Sequence, residues 1–282
     1  MPRLVVPIMT IRPFCAVAAL FAAVAMSACD VRVNDKGGVS LDVNEGGRAE
    51  DTWSRTYTVS KGGRFELDAT FAGVELLPAT GNTIEVVATR RVIGSSDQAA
   101  NDLLAKLEMK EEVAPDRVRL QATLPERRGN FRGMNLDYQV KVPPGLSIVI
   151  KSEFGNVNLN KVQGRFDVSV TNGRISGQGV SGALQAQTVN GQVIMEMADV
   201  TDDIRITTVN GALMLGVPPN TNATIDASAI NGGVIVFETL SVNAQTKERQ
   251  RLSGRLGTGN GPRIELQATN GNVRLGGGKP PT

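Results

Sequence analysis

The chain has 282 residues, with 30 lysines and arginines against 28 aspartates and glutamates, no histidine, two cysteines and 4% aromatic residues. Without histidine there can be no Ser-His-Asp or Cys-His nucleophile arrangement and no histidine metal site. Balanced charge and few stacking aromatics exclude a nucleic-acid binder, which gathers a basic excess on one face.

Residues 1–28 contain Arg3 and Arg12 but no acid, and residues 14–28 are all apolar or small. This is the form of a secretory signal, and the run is shorter than the roughly 20 residues needed to span a bilayer. Met26-Ser27-Ala28-Cys29 resembles the lipobox of bacterial lipoproteins, although Met26 stands where that family prefers Leu. The expectation is cleavage before Cys29 and lipid attachment there. A cut after Ala25 competes, because Ala23-Val24-Ala25 has the A-x-A form, but it would leave an unpaired thiol in an exported protein. Asp30 resembles the signal that retains some lipoproteins in the inner membrane. Cleavage removes two arginines and no acid, so 28 basic and 28 acidic residues remain.

Residues 29–52, rich in Gly, Asn, Asp and Ser, read as a flexible tether. Alternation of Phe65, Leu67, Ala69 and Phe71 predicts a strand over residues 64–77 that opens a single domain spanning 53–276, and residues 83–91 give another strand. Ser95, Ser96 and Asp97 offer N-cap chemistry for a helix whose apolar stripe is Ala100, Leu103, Leu104 and Leu107. Strands follow at residues 117–124 and 136–142, and Pro143-Pro144-Gly145 marks a turn. Between those strands, Arg127, Arg128 and Arg132 surround Phe131: a solvated loop, or a contact for an anionic partner that arginine grips with two parallel bonds.

From residue 146 the chain repeats. Alternate apolar positions lead to Asn172-Gly173, Asn190-Gly191, Asn210-Gly211, Asn231-Gly232 and Asn270-Gly271, and apolar alternation resumes beyond each glycine. The asparagines are 18, 20, 21 and 39 residues apart. The last gap holds about two units, with a degenerate copy at Ser253-Gly254-Arg255-Leu256. Phe154-Gly155 occupies the same place upstream. Two architectures fit. In an antiparallel meander, closed as a sandwich or barrel, Asn-Gly is a type I′ hairpin turn. In a parallel β-solenoid of roughly 20-residue coils, each glycine turns a corner with a positive φ and the asparagines stack inside as a ladder. The solenoid is the expected fold, because one short helix cannot cover the apolar face of a meander and a ladder satisfies inward amides.

Residues 136–145 (LDYQVKVPPG), the TVNG units and residues 252–275 together resemble the bacterial β-strand-repeat, adhesin-like domains of unknown function, over roughly residues 55–276. The resemblance implies an extracytoplasmic β-solenoid and supplies no functional residues. Asp199, Asp202 and Asp203 read as a polar connection, with an acid pair or calcium site as the sharper alternative. Lys247, Arg249 and Arg251 alternate with acid and amide residues as a solvated face. No catalytic residue, metal site or cofactor is expected. The functional expectation is a non-catalytic, membrane-anchored envelope lipoprotein that binds an envelope protein or glycan. The alternative is a carbohydrate-active enzyme or calcium-dependent glycan binder on the same scaffold.

Overall fold

The computed structural model describes residues 29–33, 39–43, 46–123 and 129–278; the signal and its cleavage positions lie outside them. The chain divides into two units, Met1–Gly46 and Gly47–Thr282. In the first, β1 (Cys29–Val33) pairs antiparallel with β2 (Val39–Val43). The tether reading of residues 29–52 is therefore corrected: these two strands occupy part of it, and the second unit already begins at Gly47 with β3 (Gly47–Thr58). Composition hid β3 because Asp51 and Arg55 interrupt the alternation of Ala49, Trp53 and Tyr57 along its inward positions.

The second unit is a stack of coils with two facing walls. A coil runs along the first wall, turns at an Asn-Gly corner and returns along the second. β4 (Arg64–Pro78) makes a whole coil in one strand, pairing β9 (Leu146–Phe154) in one wall up to Phe71 and β8 (Phe131–Val142) in the other from Ala72 onward. β9 is continued by β10 (Val157–Asn160), and β11 (Gln163–Asn172) by the start of β12 (Ile175–Asn190). The rest of β12 leads to β13 (Val193–Met197), β14 (Ile204–Asn210) to β15 (Leu213–Val217), β16 (Ala223–Asn231) to β17 (Val234–Val236), and β20 (Arg263–Asn270) to β21 (Val273–Gly277). Neighbouring coils pair in parallel without register slip at the corners: Phe71, Phe154, Asn172, Asn190, Asn210, Asn270 and Asn231 are successive partners. The fold is an all-β parallel solenoid, and the antiparallel meander is excluded for the repeats.

That register corrects the coil order. The C-terminal coil, β20–β21, lies between β14–β15 and β16–β17. Residues 253–256 form no coil; they belong to β19 (Arg251–Leu256), which pairs antiparallel with β16 and with β18 (Val242–Lys247) and closes that end of the first wall. At the other end, β6 (Glu108–Ala114) pairs antiparallel with β7 (Arg117–Thr123), while β5 (Thr83–Gly94) joins β3 to β8 antiparallel. Helix α1 (Asp97–Ala105) begins at Ser96, whose Oγ accepts from the Ala99 N–H at 3.2 Å, and buries Ala99, Ala100, Leu103 and Leu104 against β3 and β5. It sits on a paired Gly47 and Gly94, where an added Cβ would come within 1.9 and 2.6 Å of helix backbone.

The alternating apolar residues meet between the walls. Phe65, Leu67, Ile148, Ile150, Phe166, Leu184 and Ile264 of the first wall, and Val157, Ile175, Val193, Leu213 and Val273 of the second, are almost wholly buried. Each such side chain is worth about 1.5–3 kcal/mol relative to exposure.

Candidate functional site

The corner asparagines form one column. Asn190 Nδ2 donates to Asn172 Oδ1 at 2.9 Å, Asn210 to Asn190 at 2.8 Å, Asn270 to Asn210 at 2.7 Å, and Asn231 to Asn270 at 2.8 Å. Asn172 Nδ2 reaches the Glu153 carbonyl at 3.4 Å, beyond which Phe154 stacks on Phe71 with ring centroids 5.1 Å apart. The asparagines were expected inside; all but the half-buried Asn172 are exposed. Parity still puts them on the inward side of the strand, but the wall ends at the corner, and among the described residues no facing strand covers them. The buried polar position is two residues earlier, where Thr188 and Thr208 donate to the Gly173 and Gly191 carbonyls of the preceding coil, each at 3.2 Å.

The expected positive φ holds for part of the column. Gly173, Gly211 and Gly271 have φ of +156° to +158°, whereas Gly191 and Gly232 are not in that conformation. Common to all is close approach: a Cβ on Gly173, Gly191, Gly211, Gly232 or Gly271 would lie 1.7 to 2.0 Å from the corner glycine carbonyl oxygen of the adjacent coil. Each corner also carries an inter-coil backbone bond, as from Gly191 N–H to the Asn210 carbonyl at 2.9 Å. The corner column is therefore structural, with its polar groups used in stacking.

The other sequence-singled residues do not converge. Cys29 lies in β1, and Arg127 and Arg128 fall outside the described residues. Arg132 is exposed near the start of β8. Lys247, Arg249 and Arg251 are exposed. Asp202 is exposed and accepts from its neighbour Thr201, whereas Asp203 Oδ1 accepts the Arg263 N–H at 2.8 Å and so fastens the start of β20 to the preceding coil. Among the described residues, no group of three or more His, Cys, Asp or Glu side chains is placed to hold a metal ion.

A depression of about 380 Å³ lies instead on the outer face of the first wall. One row across the strands reads Arg64, Ser147, Arg165, Ala183, and the next reads Glu66, Val149, Asp167, Gln185, Arg205, Glu265. The depression exists because Ser147 and Ala183 are small on either side of Arg165. It continues past Arg165 and Ala183 into shallower hollows floored by Gly164, Gly182 and Gly261 and edged by Asp202 and Asp203. Three of its arginines have carboxylate partners: Arg64 with Glu66 at 2.5 Å, Arg205 with Glu265 at 3.4 Å, and Arg263 with Asp226 at 3.6 Å. Arg165, exposed at the centre, has no carboxylate partner among the described residues. Sequence reasoning passed over this row because its residues are 18 or more apart in the chain and meet only through the coil register.

The fold and this polar outer wall define a β-repeat scaffold built from stacked coils. Toastrack DUF4097 matches residues 118–276, more than half of the chain, and the protein belongs to that family. The chain is also similar to a candidate cell adhesion protein from Clostridium sporogenes, at 11% identity and a TM-score of 0.44, covering 81% of this chain and 100% of that one. A candidate adhesin from Bacteroides fragilis is 10% identical with a TM-score of 0.28, covering 80% of this chain and 97% of its own. A candidate lipid binding protein from Parabacteroides distasonis is 11% identical with a TM-score of 0.27, covering 80% and 96%. No curated protein matches the chain.

Proposed function

We propose that the protein is a non-catalytic cell-envelope lipoprotein: exported, cleaved ahead of Cys29, anchored to a membrane through lipid on that residue, and using its coil stack as a rigid scaffold for an envelope protein or glycan. The observation that carries the binding part is the outer face of the first wall. Eight strands, β7, β4, β9, β11, β12, β14, β20 and β16, run parallel there and present aligned rows of charged and small side chains. Such a face holds its side chains at fixed spacing along the stack, which suits an extended partner. Of the three acids in the alternative reading, Asp203 accepts the Arg263 N–H through Oδ1, a structural use of that carboxylate.

Pull-down of the intact lipoprotein from crosslinked envelopes tests the scaffold reading: specific recovery of a protein or glycan is expected, and recovery no different from a lipidated control of unrelated fold would reject it. The anchor is tested separately by Cys29→Ser, which should move the protein from membrane to soluble fractions; unchanged detergent partitioning rejects the lipid. Incubation with envelope polysaccharides should give no cleavage. Reproducible cleavage lost in Asp202→Asn would instead establish the enzyme alternative.

A further inference from the structure

From the row around Arg165 we infer that the outer trough of the first wall is a binding site for an acidic glycan, a linear chain of sugars carrying ring carboxylates. This rests on the scaffold reading above and names the ligand class for it. Arg165 stands on β11 in the middle of the stack, and its strand neighbours in the row, Ser147 and Ala183, are too short to engage the guanidinium. Its planar fork of donors therefore faces solvent above a floor of small residues. That geometry suits a carboxylate held by two parallel N–H bonds.

The surrounding groups narrow the ligand further. Asp167, two residues along β11, and Asp202 and Asp203 at the trough's margin bring acceptors close to Arg165, the trough's one cation without a carboxylate partner among the described residues. A polyphosphate or another densely anionic polymer would press closely spaced charges against these carboxylates and against Glu66 and Glu265 of the next row. A uronic acid chain carries only one carboxylate per ring: the one at Arg165 takes the guanidinium fork, while ring hydroxyls donate to the acids and to Gln185. Positions within a row step at the strand spacing of about 4.8 Å, close to the advance of one sugar ring in an extended chain, so successive rings meet successive strands.

The test uses the full mature lipoprotein in detergent, titrated with an oligomer of uronic acids, the same oligomer as its methyl ester, and an oligophosphate of similar length. The uronate should bind, the ester at least about tenfold more weakly, and the oligophosphate more weakly than the uronate. Arg165→Ala should cost about tenfold or more in affinity, and Arg165→Lys should fall between, having charge without the fork. Ala183→Leu should abolish binding by filling the floor, with an unchanged melting transition showing that the stack is intact. Arg132→Ala should bind as the parent does. The inference is overturned if the ester binds equally, if the oligophosphate binds best, if the Arg165 and Ala183 variants retain affinity, or if the uronate does not bind. In that last case, specific recovery of another partner from envelopes would leave the scaffold reading standing.

Discussion

Between Leu146 and Gly277 the coils stack on others like themselves, and charged side chains stay on the outer faces. Between Gly47 and Thr123 the same two walls end, and polar groups turn inward. Arg90, with only 15% of its side chain exposed, forms a two-pronged pair with Asp51 and donates to the Leu107 carbonyl at 3.0 Å. Tyr57 donates to Glu111 at 2.7 Å across the gap between β3 and β6, and Arg55 reaches Glu111 at 3.4 Å while lying 5.2 Å over the Trp53 ring. The sole tryptophan and both tyrosines of the chain, Trp53, Tyr57 and Tyr138, gather here. A repeat can be satisfied by its copy above and below. An end has no copy, and unpaired edges invite association unless something closes them. At this end, long bridging side chains and α1 do that work; at the other, β18 and β19 fold back as a hairpin on the first wall.

The contrast breaks most sharply at a mid-stack corner. Gly211→Ala should cost more than about 4 kcal/mol in chemical denaturation, since its Cβ would fall 1.7 Å from the Gly191 carbonyl oxygen and backbone cannot move without parting two coils. Gly145→Ala, with positive φ but nothing within 4 Å, should cost only about 1 kcal/mol. Equal losses would show that conformation, and not close approach, selects glycine at the corners.

Leu266→Ala should cost about 2–5 kcal/mol, as much as Leu184→Ala, although Leu266 is near the end of the chain. The reason is that β20 lies between β14 and β16. A loss below about 1 kcal/mol in calorimetry would place the C-terminal coil at the edge of the stack.

The corner column should be a smaller contributor. Asn210→Ala removes one donated and one accepted ladder bond and should cost about 1–2 kcal/mol, the exposed amides having water as an alternative. A loss comparable to Gly211→Ala would restore the column to the interior role expected for it.

The smallest effect belongs to the N-terminal end and depends on pH. Burial, then the hydrogen bond to Glu111, raises the Tyr57 phenol above its ordinary value of 10.0, and burial also raises Tyr138. A group whose folded pKa exceeds its unfolded pKa contributes stability that is complete below the unfolded value and disappears as pH rises toward the folded one. Stability should thus be flat up to about pH 9 and decline above about pH 10. Tyr57→Phe should make that alkaline decline shallower and cost about 1 kcal/mol at neutral pH. An unchanged slope in denaturation midpoints between pH 9 and 11 would remove Tyr57 from the account.

Much of the repeat region was legible in residue order alone. Alternation such as Ile204, Ile206, Thr208 followed by Asn210-Gly211 and then Leu213, Leu215 dictates strand, corner, strand, because a strand shows its two faces with period 2 and only glycine tolerates the approach at the bend. Ser96 and the stripe from Ala100 to Leu107 likewise announced α1 through local capping and helical spacing. By contrast, β3 gave a broken signal, since Asp51 and Arg55 interrupt its apolar positions and find their partners, Arg90 and Glu111, on distant strands.

Sequence by itself therefore determined the repeating unit and the inward apolar set, and it favoured a parallel stack over a meander, because these depend on local periodicity and on the match of each unit to the next. Only the tertiary structure decided the stacking order, the exposure of the asparagines and the trough around Arg165. Coils bearing the same motif are interchangeable partners as far as pattern goes. Which one lies beside which depends on connections and end contacts between residues far apart in the chain, and outer-face neighbours such as Arg165, Ser147 and Ala183 exist only once that register is set.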